Sequence, residues 1–212
     1  MKITSLVSAP VVAALAVLLL AAPLSHADLD TERSMIDGNG RTLTVQQWET
    51  TIDPMDAQDR NLLTREWLHS GRVRYTVTGP AAEKFEGKLE LGYEVGYPWS
   101  LSVGINFDYT SPNVFVHNGD LSPEGFSPLA RVITPDLLPV VSVSADVSSG
   151  PGIHEVTVLS VDVSGPHGDV GVTDGHGTLT GAAGGVLLRP YARLVSKAGD
   201  TVCAYGRLWN LN

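Results

Sequence analysis

The chain has 212 residues, 43% hydrophobic and 17% charged, with a formal net charge of −9 and one cysteine. Such an acidic chain is a poor match for nucleic acid, and a single cysteine permits no internal disulfide, so the fold must hold by packing. Beyond the N-terminal region no apolar run is long enough for a membrane helix, so any membrane crossing would have to use strands.

In chain order, Lys2, the apolar run Val11 to Ala22, the break at Pro23 and the small-residue site Ser25-His26-Ala27 read as a secretory signal peptide over residues 1–27. Cleavage after Ala27 removes Lys2 and takes the charge to about −10. Residues 28–88 are mixed. A strand is expected at Thr42–Trp48. A short amphipathic helix is expected near Asp56–Leu68, where Asp56 could cap and Leu62, Leu63, Glu66 and Trp67 follow at near-helical spacing. Val73, Tyr75 and Val77 then alternate with polar neighbours as a further strand.

Between Leu89 and Tyr109 every odd-numbered residue is apolar and every even-numbered one except Pro98 is polar or glycine. Period two is the signature of a strand with one greasy and one wet face. Unbroken, this strand would run for about 21 residues, roughly 70 Å at ~3.3 Å per residue, where ordinary strands have about 5–6 residues. A water-filled barrel in lipid needs such strands. A sandwich core fits the alternation equally well. Residues 110–139, rich in Pro, Gly and Asn, contain the hairpin signal Asn118-Gly119. Val141 to Ser148 alternates again as a return strand. In residues 149–212 the phase changes at Val158–Leu159, which predicts a bulge or a handover between sheets. Gly181 to Gly185 reads as a turn before Val186–Leu188, and the tail from Arg189 to Trp209 as closing strands.

Little in the chain suggests catalysis. There is no G-x-S-x-G or H-E-x-x-H, and no cysteine partner for a thiol nucleophile. His69, His154, His167 and His176 lack metal-ligand spacing, and Asp174-Gly175-His176-Gly177 reads as a turn. Trp48, Trp67 and Trp209 read as core or subunit contacts and Cys203 as a small buried hydrophobe. We expect no enzyme activity, no metal and no cofactor. Two barrel-length strands cannot close a barrel, and open sheet edges in lipid cost several kcal/mol per unpaired group. The physical inference is an oligomeric barrel to which each subunit gives a hairpin.

The segments RTLTVQQW (41–48), LTREW (63–67), HSGR (69–72), LELGY (89–93), PWSLSVGINFDYTSPN (98–113), VITP (132–135), SVSAD (142–146), GPGI (150–153), SVDVSG (160–165) and HGTLTGAAGGVLLRPYARL (176–194) resemble the mycobacterial porins typified by MspA. The resemblance covers nearly the whole chain after residue 27. It implies an all-β fold: a β-sandwich-like rim from residues 28–88 and 149–212, and a long hairpin from residues 89–148. Eight hairpins would form a sixteen-strand transmembrane β-barrel, a homo-octamer in the mycolic-acid outer membrane. The implied function is a general porin for passive diffusion of small hydrophilic solutes and ions, with a preference for cations. Its partners would be further copies of the chain, membrane lipid and those solutes.

The resemblance also assigns residues. Leu101, Val103, Ile105 and Phe107 would face lipid, with Tyr97, Trp99 and Tyr109 as interface aromatics. Two adjacent carboxylates form the family's constriction. Here His117 and Asn118 occupy those positions, followed by Gly119 and Asp120. Lumen carboxylates of the family match Asp146 and Asp162, another matches His167, and Asp108 adds to the set. A ring of His117 would be near neutral at pH 7 and cationic below about pH 6.5, giving weaker cation preference and a response to acid; otherwise His117 is a solvated turn residue. Two other classes compete: a secreted pore-forming toxin, which hides its hairpin until insertion, and a soluble carbohydrate- or cell-surface-binding β-sandwich.

Overall fold

A computed structural model describes residues 28–100, 104–118, 136–138, 141–147 and 152–212. The expected signal peptide lies outside the described residues, as do Leu101, Val103, Gly119 and Asp120.

The chain is all-β. In order the strands are β1 (Leu29–Ile36), β2 (Thr42–Met55), β3 (Arg65–Thr78), β4 (Glu86–Tyr97), β5 (Trp99–Ser100), β6 (Ile105–Ser111), β7 (Asn113–Asn118) and β8 (Asp136–Leu138). They continue as β9 (Val141–Val147), β10 (Gly152–Ser164), β11 (His167–Thr180), β12 (Ala182–Ala183), β13 (Leu187–Ser196), β14 (Thr201–Tyr205) and β15 (Trp209–Asn210). One sheet runs β1-β2-β3-β11-β6-β9, with β7 also against β11 and β8 against β7. A second runs β10-β4-β13-β14, with β15 on β13, and β5 and β12 form a small ribbon.

The period-two patterns of the sequence supply the core between these sheets. Leu43 and Val45 of β2, Tyr75 of β3, Leu89 and Val95 of β4, and Leu194 of β13 are all fully buried. The phase change at Val158–Leu159 is a register shift of β10 against β4 between Thr157 and Leu159, as expected. At the β1–β2 end, Asp37 is buried and accepts hydrogen bonds from Arg41 N at 2.8 Å, Arg41 Nε at 2.7 Å and Asn39 N at 2.9 Å.

The structure corrects three expectations. First, Leu89–Tyr109 is not one strand. β4 ends at Tyr97 in the five-stranded sheet, whereas β6 begins at Ile105 in the eight-stranded one. Pro98 cannot donate to a ladder, and Gly104 adopts φ +87°, a turn conformation. Second, the helix near Asp56–Leu68 is absent. Residues 56–64 are turns, in which Asp59 accepts from Asn61 N and Thr64 Oγ1, and strand β3 starts at Arg65. β3 pairs with β2 on one edge and β11 on the other, and two ladders outweigh the local preference for a short helix; Leu62, one of its expected apolar positions, is 87% exposed in the turn. Third, Asp174 to Gly177 is not a turn between strands. It lies inside β11, where Asp174 at φ 54° accompanies a register shift between Val172 and Gly175.

Candidate pore-lining residues

β6 and β9 form an antiparallel pair running from Ile105↔Val147 to Ser111↔Val141. Side chains alternate across it, so Asn106, Asp108 and Thr110 share one face with Ser142, Ser144 and Asp146. This face is wet. Asp108, Thr110, Ser142, Ser144 and Asp146 are exposed, and Thr110 Oγ1 lies 3.3 Å from Ser142 Oγ. Asp108 is opposite Ser144 and Asp146 opposite Asn106, so the two carboxylates are diagonal neighbours rather than a direct pair.

The other face of β6 is dry. Ile105, Phe107 and Tyr109, expected at lipid or its interface, lie in the core at 0–2% exposure, as does Tyr97 of β4 at 4%. The lone subunit differs here from the expectation because alternation specifies an apolar face and not what covers it; in one subunit the second sheet covers it. Trp99, the other expected interface aromatic, is on β5, opposite Ala183 of β12.

His117 is half-buried on β7, directly opposite Asp169 of β11, and Asp169 is in turn opposite Arg74 of β3. Asp169 is 5% exposed. Burial pushes its carboxyl above the usual range, against the pull of positive charge at Arg74, His117, Arg72 and His167. The structure therefore brings His117 and His167 together around one buried acid. Neither Asp169 nor the arginines belonged to the expected set, because only the strand order β3-β11-β7 brings them into one row. Asn118 is opposite Gly168 at the end of β7, and Asp120 lies outside the described residues. Asp162 is on β10, in the other sheet, exposed and 2.8 Å from Lys88 Nζ. Within one subunit it is separate from Asp108 and Asp146.

A second polar cluster lies in the core. His69 Nδ1 is 2.7 Å from the Tyr93 hydroxyl and 3.1 Å from that of Tyr109. A neutral ring with Nδ1 unprotonated has one lone pair there and accepts from one hydroxyl, the nearer being that of Tyr93. Desolvation holds the His69 pKa down, to about 4. Cys203 is half-buried on β14, and burial pushes its thiol up, away from the thiolate a nucleophile needs. Among the described residues no three His, Cys, Asp or Glu side chains could hold a metal, and no helix is long and apolar enough to cross a membrane.

The sequence model of the MspA family matches residues 39–210. The chain belongs to the MspA family. It is 59% identical over 200 residues to porin MspC of Mycolicibacterium smegmatis, covering 94% of this chain and 93% of that one. It is 57% identical to porin MspA of the same organism over 212 residues and the whole length of both chains. Porin MspB of that organism is 58% identical over 193 residues, covering 91% of this chain and 89% of its own. Membership in a family whose relatives are named porins agrees with the expectation that the chain is not an enzyme. In this MspA-family member the β6–β9 pair has one polar, exposed face, and the other face of β6 is apolar and buried.

Proposed function

We propose that this chain is the subunit of an outer-membrane porin, a water-filled channel through which small hydrophilic solutes and ions diffuse passively. The observation that carries the reading is the β6–β9 pair, polar along one face and apolar along the other face of β6, in a chain whose relatives over nearly its whole length are named porins. On this reading eight copies each give one hairpin to a sixteen-strand barrel in the mycolate layer. Ile105, Phe107 and Tyr109 turn to lipid with Leu101, Val103, Tyr97 and Trp99. Asp108, Asp146, Asp162 and His167 face the lumen, and His117, Asn118 and Asp120 ring its narrowest part.

The remaining carboxylates favour cations, because one sign of charge along a low-dielectric mouth concentrates the opposite ion. A histidine ring in place of a carboxylate ring weakens that preference and makes it depend on pH. Planar-bilayer recording of detergent-extracted protein in a KCl gradient, at about pH 7.5 and about pH 5, tests both parts. Expected are large, long-lived steps with a cation-selective reversal potential that moves toward anions at the lower pH. In His117→Asn the acid shift should vanish while the steps persist. Absence of steps would overturn the porin reading, and an unchanged reversal potential would remove His117 from the constriction.

The apolar face hidden in the subunit also fits a toxin that is soluble before it inserts. Fractionation of the producing cells separates the two: a porin is recovered from the envelope, a toxin from the medium.

A further inference from the structure

In the lone subunit β6 has neither a free edge nor a free apolar face with which to build a barrel. One of its edges pairs with β9 and the other with β11, from Asn106↔Thr180 to Thr110↔His176. β7 prolongs the second contact from Asn113↔Thr173 to Asn118↔Gly168. Its apolar face is the wall of an aromatic cluster: Phe107 lies 5.7 Å from Trp67 and 6.0 Å from Tyr93, ring centre to ring centre, and Tyr109 lies 5.7 Å from Tyr93. The Tyr109 ring is seated on Gly175 so closely that a Cβ there would lie 2.1 Å from its hydroxyl oxygen. The hydroxyl of Tyr109 also reaches His69, which ties β6 to β3.

A strand in a closed ring of hairpins needs one edge for its own hairpin partner and one for the neighbouring subunit, with its apolar face in lipid. In this structure β11 occupies that second edge and the sandwich occupies that face. The same atoms cannot serve both. We propose that the structure is a pre-assembly state in which the subunit's own body, through β11 and the Trp67–His69–Tyr93 cluster, holds the stem strand β6–β7 closed until assembly releases it. The inference rests on the porin reading above. It explains how an exported chain with such an apolar stripe could stay soluble on its way to the membrane: the stripe is core until a membrane and partner subunits replace that cover. Opening costs the buried contacts of three large side chains, which lipid burial and new inter-subunit strand pairing can offset, so the two states exchange one cover for another.

A reversible tether tests the release. Asn106→Cys and Thr180→Cys are combined with Cys203→Ser, and the two thiols, opposite one another on β6 and β11, are joined by a short bis-thiosulfonate cross-linker that reductant removes. The tethered subunit is expected to remain monomeric and give no channels in bilayers, and reduction should restore both assembly and conductance. Tethered protein that assembles and conducts like the reduced form would overturn the proposal and leave the porin reading intact. An absence of channels from the unmodified wild-type chain would instead sink the porin reading itself. Should the double variant fail to fold even when reduced, the wild-type chain decides. A diazirine reagent dissolved in the lipid should label Ile105, Phe107 or Tyr109 in the assembled, membrane-inserted protein and none of the three in the soluble subunit. Labelling elsewhere in the inserted protein, with these residues untouched, would show that β6 never leaves the core.

Discussion

Gly177→Ala should lower the stability of the subunit by about 3 kcal/mol or more, the upper part of the range for overpacked cores. A Cβ at this position would lie 2.2 Å from both Cε2 and Cζ2 of Trp67, and 2.7 Å from its Nε1. The indole has nowhere to go. Trp67 is fully buried, with Tyr93 at 6.0 Å edge-on and Phe107 at 5.7 Å. The backbone cannot retreat either, because Gly177 is paired with Trp67 of β3 on one edge and with Tyr109 of β6 on the other. Domains of this kind have only about 5–15 kcal/mol of stability in total, so the variant should unfold at a markedly lower urea concentration. Gly171→Ala, on the same strand, is the control. A Cβ there meets nothing within 4 Å, and its cost should stay within about 1 kcal/mol, the scale of strand propensity. Equal midpoints for the two variants would show that the Trp67 ring moves aside.

The second large effect is acid destabilisation through His69. Burial holds its folded-state pKa at about 4, against 6.5 for a free histidine. Between these values the unfolded chain binds a proton that the folded chain refuses. Stability therefore rises with pH across this window and is lost as pH falls from about 6.5 to about 4, by about 3 kcal/mol at ~1.4 kcal/mol per pKa unit. Asp169 works the other way. Its raised pKa makes the folded state take up the proton first, so its contribution grows on acidification. The low pKa of Asp37 acts lower still, as pH falls below the usual carboxylate value near 3.8. His69→Phe separates these terms. It should be less stable than wild type at pH 7.5, because the buried Tyr93 hydroxyl loses its nearest partner, yet show a flatter profile between about pH 6.5 and pH 4. Parallel profiles for variant and wild type would assign the acid response to another group. Charging His69 also weakens the seat of Tyr109, so acid and opening of β6 should act in the same direction.

How much of this molecule was legible in its sequence differs from residue to residue. Alternation over Leu43–Val45, Val73–Val77 and Val141–Val147 marked strands and their buried or apolar faces, because period two is a property of adjacent residues and needs no partner. The phase change at Val158–Leu159 marked a bulge for the same local reason. The resemblance in ordered blocks named the family. Where pairing was long-range, local pattern misled: Leu62, Leu63, Glu66 and Trp67 sit at helical spacing, yet β3 is held extended by β2 and β11. The row Arg74–Asp169–His117 and the meeting of His69 with Tyr93 and Tyr109 join residues far apart in the chain, and no spacing announces them. The long apolar stripe shows the division most clearly. Local alternation is enough to assign Leu89 to Tyr109 one apolar face and one polar face, since successive side chains of extended backbone point opposite ways. Long-range pairing is what divides the stripe at Pro98 and covers Ile105, Phe107 and Tyr109 with the chain's own second sheet. The hydrophobic effect rewards removal of apolar surface from water and is indifferent to which surface does the covering.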